Sequence, residues 1–512
     1  MSTTSPKDQT ARALRLTETD NIVVAIDGLS AGLPVLGVAP TERVPRGHKM
    51  AVQAISKDAP VVKYGQVIGF AKSDIAPGDW VHEHNTYLHS FLRDYQHGVD
   101  SRPTQFVAED QRQTFQGFRR ANGRFGTRNY VAVLTSVNCS ASAARHISRR
   151  VEESGVLADY PNIDGVISLV HGTGCGVDVN GAAYDILRRT QWGYAMNPNV
   201  GGVLMVGLGC EAFQIPRWMK SYGVTEATTF RTLTIQEVGG TMKTVEAGFR
   251  AIVDRLPEVN AVRRSTAPAS ELMLALQCGG SDGYSGITAN PALGVAVDLL
   301  VAEGGTAILS ETPEIYGAEH LLMRRAAAPE IGEKLAATIR WWEDHTARHE
   351  MEMNNNPSPG NKLGGLTTIL EKSLGASAKG GSTNLNGVFA YAEPVTERGL
   401  VFMDTPGYDP VSATGQVAGG ANILCFTTGR GSAFGCKPTP SIKLASNTYI
   451  YDHMIEDMDL NCGDILDGVS LADKGAEIFR HILRVASGER TKSELIGYGD
   501  SEFVPWQIGA TM

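Results

Sequence analysis

The side chains in this sequence best suited to chemistry sit where apolar runs stop. In ELMLALQCGGSDGYSGITANP (271–291) the run Leu272–Leu276 gives way to Cys278, Gly279, Gly280, Ser281 and Asp282. A second run, GTAILSETPE (305–314), ends at Glu311 and Glu314, and a third, ANILCFTTGRG (421–431), ends at Thr427, Thr428 and Arg430. Lys362 closes the polar segment NNNPSPGNK (354–362), which also holds Asn361. Carboxylate oxygens suit Mg, Ca or Mn, whereas thiolate and imidazole shift the preference toward Fe or Zn. Arginine grips a carboxylate in a two-pronged fork. Cys278 with Asp282, Glu311 and Glu314, set near Arg430, therefore reads as a divalent metal site that takes an anionic substrate.

These residues need elements that bring them together. A short apolar run, a glycine turn and then LGVAVDLLVAEGG predict strand, turn and helix, the unit that places ligands at the carboxyl ends of strands in open α/β sheets. The same design precedes three more cysteines. NYVAVLTSV leads to Cys139, GVISLVHG to Cys175 and GGVLMVGLG to Cys210, with helical spacing between them. Continuous apolar strands separated by helices predict parallel sheets. His171 lies four residues before Cys175, either as a core histidine or as part of a site. Pro329–Met353 predicts one long helix with Trp341 and Trp342 partly packed, and 354–362 predicts a loop. Before all this, Leu16–Leu88 shows short runs punctuated by Gly and Pro, predicting a small all-β domain. It carries His48 beside Lys49, and His82 and His84 two apart, which on a strand would share one face.

Composition sets limits. The chain has 512 residues, 42% apolar and 20% charged, with a formal net charge of −9, so several domains and no nucleic-acid partner are expected. No apolar run is long enough for a membrane span, and the first residues lack a signal-peptide pattern, so a cytoplasmic protein is expected. Seven widely spaced cysteines argue against a disulfide framework. The expected organisation is a disordered tail to about 14, a β domain over 16–90, a linker over 91–115, an α/β middle domain over 116–265 and an α/β catalytic domain over 266–512. The TTGRG tip lacks a Walker lysine and there is no dinucleotide fingerprint, so a nucleotide enzyme is excluded.

The motifs RGHKMAV, KYGQVIG, HEHN, RANGRFGTRN, GLGCE, QCGGSDGYSGITANPALG, NPSPGNK and FTTGRG resemble those of the altronate/galactarate dehydratase family from about residue 16 to the end. HEHNT and ETPEIYGAEHLLM look closer to its altronate branch. The resemblance implies a β-clip (SAF-like) first domain, a dimerising middle domain and a Rossmann-like last domain with a parallel sheet. It implies a homodimeric hydro-lyase dependent on Fe(II), with Mn(II) or another divalent ion as substitute, that dehydrates a sugar acid, D-altronate first. Galactarate or another aldonate or aldarate is the alternative substrate, with Lys49 or Arg128 as a second clamp. A non-catalytic sugar-acid-binding or regulatory protein is the alternative class. On this reading Lys362 is the base, a histidine among His48, His82 and His84 the acid, and Ser281, Asn361, Thr427, Thr428 and Arg430 hold substrate. Cys278, Asp282, Glu311 and Glu314 form the metal neighbourhood. A rival arrangement has Cys139, Cys175, Cys210 and Cys278 converging on iron or a [4Fe-4S] cluster.

Overall fold

The computed structural model describes residues 11–89, 95–225 and 230–508. The first domain consists of two small antiparallel sheets. One joins Ala13–Leu14, Ile22–Ala25, Lys49–Ala51 and Trp80–Val81; the other joins Pro60–Lys63, Gln66–Ala71 and Thr86–Tyr87. Residues 13 and 14, expected in a disordered tail, instead pair with Val24 and Ala25; the tail residues 1–10 lie outside the described residues. The described part of the expected linker runs against the last domain, where the Gly98 and Asp100 amides donate to the Met323 and Arg324 carbonyls. Residues 90–94 lie outside the described residues.

The middle domain is a four-stranded parallel sheet of β1 (Tyr130–Thr135), β2 (Gly165–Leu169), β3 (Val200–Gly207) and β4 (Phe230–Thr234), in the order β2-β1-β3-β4. Period-two alternation sends Val131 and Val133 toward helix α1 (Ala141–Glu153). Tyr130, Ala132 and Leu134 point the other way, toward α2 (Ala182–Ala195).

The last domain is a seven-stranded, all-parallel sheet of β5 (Met273–Cys278), β6 (Thr306–Leu309), β7 (Leu385–Phe389), β8 (Gly399–Met403), β9 (Ile423–Thr428), β10 (Ser441–Ala445) and β11 (Leu460–Asn461). Its order is β7-β8-β6-β5-β9-β10-β11. The chain steps outward from β5 to one side and returns to its other side at β9, so β5 and β9 flank the point where winding reverses. Ligands bind at the carboxyl ends of strands at such a point.

Both faces of this sheet are covered, so its strands are largely apolar, with Gln277 and Lys443 among the buried polar exceptions. α3 (Ala289–Ala302) and α8 (Leu471–Ala486) cover one face. Their axes approach closely because Gly475 lies against Val295, where any Cβ would meet the valine side chain at 2.4 Å. α7 (Asp409–Gly419) lies on the other face and crosses α2 of the middle domain, where Gly193 sits directly on the Ala418 carbonyl. Residues from both domains thus share one apolar cluster.

Two local expectations are corrected. The long helix α4 (Pro329–Arg348) ends before Met353, and the polar stretch after it is not a plain loop: Pro359–Leu363 forms a short helix, α5. Ser358 caps it by accepting from the Asn361 amide, while the Asn361 side chain accepts from the Ser358 amide. That reciprocal box with proline at the first turn is a helix start. Trp342 is wholly buried, with its indole N–H on Asp404 at 2.7 Å.

Candidate active site

β5 delivers Cys278, and the turn after β6 delivers Glu311 and Glu314. Their ligand atoms lie within 4.8 Å of one another, all three residues buried. Glu311 has a left-handed backbone, φ 69°, a conformation that a non-glycine residue holds only when its surroundings enforce it. Thr405 supplies part of that enforcement by accepting from the Glu311 amide at 2.9 Å. Glu311 Oε1 is buried with no hydrogen-bond partner among the described residues, an orphaned acceptor that a cation would satisfy.

Lysines from one helix region complete the cluster. Lys372, on α6 (Ile369–Ser377), reaches Glu314 at 2.7 Å and the Asn356 side-chain oxygen at 2.6 Å. Lys379 reaches Cys278 Sγ at 2.7 Å and Glu311 Oε2 at 3.3 Å. Asn356 also donates to Glu314 at 2.9 Å. Cys278, Glu314, Asn356, Lys372 and Asp409 line an open, polar cleft of about 430 Å³, with Ser358 and Asn361 at its edge. Gly279 allows close packing here, since any Cβ would lie 2.2 Å from an Asp409 carboxylate oxygen and 2.6 Å from the buried Phe426 ring.

Burial pushes the Cys278 thiol up to about 12, against the pull of Lys379. Burial and the neighbouring Glu314 hold Glu311 well above the usual carboxylate range. For Glu314 burial acts the same way, but Lys372 and Lys379 outweigh it and the group stays ionised. Burial and then Glu314 raise Asp409 to about 7. The pocket thus holds more acidic groups than its two ammonium ions neutralise. A thiol that ionises on metal binding and two carboxylates fit a divalent ion such as Fe(II), with Mn(II) favoured by the carboxylate oxygens.

Asp282 stands outside this cluster. Its carboxylate accepts from the Tyr284 and Ser285 amides, the Ser285 and Ser446 hydroxyls and the Asn447 amide nitrogen, so it organises the glycine turn. Thr427 donates to Asn290, and Thr428 accepts from the Gly431 amide. The Asn361 side chain donates to the Ser281 carbonyl. Arg430 is exposed, its stem over Gly280 and Gly364, and its guanidinium makes no hydrogen bond or ion pair among the described residues.

The first domain forms the adjoining wall. His82 and His84 do not share a strand face, because the strand ends at Val81 and Asn85 closes a turn on the His82 amide and the Trp80 carbonyl. His82 is buried and stacks on Trp80, while His84 is exposed. His48 contacts the Leu363 carbonyl at 3.2 Å and accepts from the Trp80 indole. Lys362 pairs with Glu83 at 2.9 Å across the domain boundary. Burial lowers His48 and brings His82 down to about 4, so both imidazoles are neutral at pH 7.

Deeper in the same boundary, Glu371 accepts from Lys49 and Lys63 at 2.8 Å each. One carboxylate cannot serve two buried ammonium ions equally. Lys63 is held charged, whereas burial brings Lys49 down to about 8. Arg128 is likewise occupied, gripping both Glu494 oxygens and three carbonyls.

The four cysteines do not form one group. Cys278 is buried in the last domain, whereas Cys139, Cys175 and Cys210 are exposed on the middle domain. His171 is a neutral core histidine, bonded to the Thr135 carbonyl at 2.9 Å and lowered to about 4 by burial. Sequence reasoning missed Lys372, Lys379, Asn356, Asp409 and the Lys49–Glu371–Lys63 triad. The available signal was EKSLGASAKGG, whose two lysines are seven residues apart and so lie on one helical face.

Three family profiles match. They are the altronate/galactarate dehydratase SAF domain over 11–89, the D-galactarate dehydratase/altronate hydrolase second domain over 117–260, and the D-galactarate/altronate dehydratase C-terminal domain over 269–511. The chain is 35% identical to the altronate dehydratase of Bacillus subtilis (strain 168), over 94% of this chain and 96% of that one. It is 36% identical to the galactarate dehydratase (L-threo-forming) of Escherichia coli (strain K12), over 94% of both chains. It is 35% identical to the altronate dehydratase of the same organism, over 93% of this chain and 95% of that one. Among the described residues, no helix is long and apolar enough to cross a membrane.

Proposed function

The chain belongs to the altronate/galactarate dehydratase family of hydro-lyases, and we propose that it dehydrates an aldonate, D-altronate, to 2-dehydro-3-deoxy-D-gluconate with the aid of Fe(II). The observation that carries this reading is the buried Cys278–Glu311–Glu314 cluster at the carboxyl ends of β5 and β6, opening to a polar cleft. Relatives of nearly equal identity are named for altronate and for galactarate, so the choice rests on charge. An aldarate carries two carboxylates. Lys49 and Arg128 are consumed by buried carboxylates, whereas the Arg430 guanidinium, whose stem lies over the cleft-lining Gly280, is unengaged among the described residues. One clamp suits one carboxylate.

Cys278, Glu311 and Glu314 would hold the ion, which when bound supplies Lewis-acid stabilisation of charge developing on the substrate carboxylate. The proton at C2 is weakly acidic, so a positioned base must take it and an acid must assist the C3 hydroxyl. Lys362 and the neutral, buried His82 of the adjoining first-domain wall are the groups assigned to proton handling. Their elements are fixed against each other by the Lys362–Glu83 pair and the His48–Leu363 contact. Arg430 orients the substrate carboxylate, and the Asn361 side chain, locked on Ser281, fixes the turn beneath it.

The test is an anaerobic turnover screen with altronate, galactarate and other aldonates, each with Fe(II), Mn(II), Mg(II) or chelator, following 2-keto product. Altronate turnover that needs Fe(II) or Mn(II) is expected. Faster turnover of galactarate would overturn the substrate assignment, and full activity in chelator would overturn the metal.

A further inference from the structure

Cysteine is among the most buried residue types, and Cys278, Cys425, Cys436 and Cys462 obey that rule; Cys139, Cys175 and Cys210 are all exposed. The three follow β1, β2 and β3, which are immediate neighbours in the order β2-β1-β3. All three thiols therefore rise from one carboxyl edge, on loops rooted in strands about 5 Å from neighbour to neighbour, the outer two about 10 Å apart.

The loops are tied to one another. The Asn138 amide donates to the Thr173 carbonyl at 3.0 Å, and the Phe213 amide to the Gly174 carbonyl at 3.0 Å. Ser136 donates to Glu211, whose carboxylate also takes the Leu208 and Gly209 amides. Gly174 presses so closely on the first loop that any Cβ would lie 2.1 Å from the Ser136 carbonyl oxygen. His171 fixes the base of the second loop through the Thr135 carbonyl. Gly176, beside Cys175, has open space where its Cβ would be. The thiols are thus exposed by a rigid, braced scaffold, on a domain to which the proposed dehydration assigns no residue.

We propose that Cys139, Cys175 and Cys210 hold an iron–sulfur cluster on the middle domain, separate from Cys278, with one iron of a four-iron cubane left without a cysteine ligand. Soft thiolates select Fe–S, Zn or Cu(I). Among the described residues, the three sulfurs are not grouped as ligands of a single ion. A cubane binds each thiolate at a different corner and so takes sulfurs spaced more widely than ligands sharing one ion.

The test uses full-length protein purified anaerobically, and the same protein reconstituted with ferrous iron and sulfide. The readouts are iron, zinc, acid-labile sulfide, visible absorbance and electron paramagnetic resonance. About four irons and four labile sulfides per chain are expected. Each of Cys139→Ser, Cys175→Ser and Cys210→Ser should lose most of the sulfide with an unchanged melting temperature, because these side chains are exposed. Cys278→Ser should keep it. Zinc alone, no labile sulfide after reconstitution, or a cluster lost in Cys278→Ser and kept in the other three would overturn the proposal. Because the readout is sulfide and spectrum, failure here is distinguishable from failure of the dehydratase assignment.

Discussion

Side chains at the candidate site fall into two groups that behave differently. Cys278, Glu311 and Glu314 are buried and mutually repulsive as anions, so they need cations, and Lys372 and Lys379 supply them among the described residues. Asn356 is the neutral member, orienting Glu314 by one hydrogen bond. Groups that orient ligands typically matter 10–100-fold to metal affinity. Asn356→Ala should therefore weaken Mn(II) binding by about 10–100-fold, read by titration of the free ion's paramagnetic signal. Lys362 is paired with Glu83 rather than with the cluster. Lys362→Ala should lower turnover by roughly 10²–10⁴-fold, the usual worth of a positioned proton-transfer group, while Mn(II) affinity stays near that of the unaltered protein. Near-normal turnover would remove Lys362 from the mechanism.

Elements carry the next set of constraints. α6 brings Glu371 to Lys49 and Lys63 of the first domain and Lys372 to the cluster, so one helix links domain docking to the site. Replacing one partner of a buried ionic group leaves uncompensated charge, at a cost of about 3–5 kcal/mol. Glu371→Gln should show a loss of that order in chemical denaturation. For the pH dependence, burial works against ionisation of Glu371 but Lys49 and Lys63 outweigh it, taking it from 4.5 to about 2. A carboxylate depressed in the folded state contributes stability that is full above its unfolded value and is lost as the acid form fills. The unaltered protein should therefore lose stability as pH falls from about 4.5 toward 2, and Glu371→Gln should show a shallower decline in that window.

At the scale of the molecule, the middle and last domains share a core through α2 and α7 and a polar clasp at Arg128. That guanidinium spends every N–H on Glu494 and on carbonyls of Thr127, Val485 and Glu489. Arg128→Met should cost about 3–5 kcal/mol and separate the unfolding of the two domains into distinct calorimetric transitions. A single unshifted transition would show that the apolar α2–α7 contact alone couples them.

The sequence by itself determined the parallel sheets, the small β domain and the placing of Cys278, Glu311 and Glu314 at strand ends, because apolar runs and their glycine stops are local signals. It also held enough motif to indicate the family. It did not separate Asp282 from the metal neighbourhood, since the hydrogen bonds that occupy Asp282 come partly from Ser446 and Asn447, more than 150 residues away. It read 354–362 as a loop because polarity outweighed the Ser358 cap, and it placed His82 and His84 on a strand that the Asn85 turn ends. Tertiary structure decided which lysines meet the thiol and which cations remain unengaged, because those are set by long-range burial and pairing rather than by spacing along the chain.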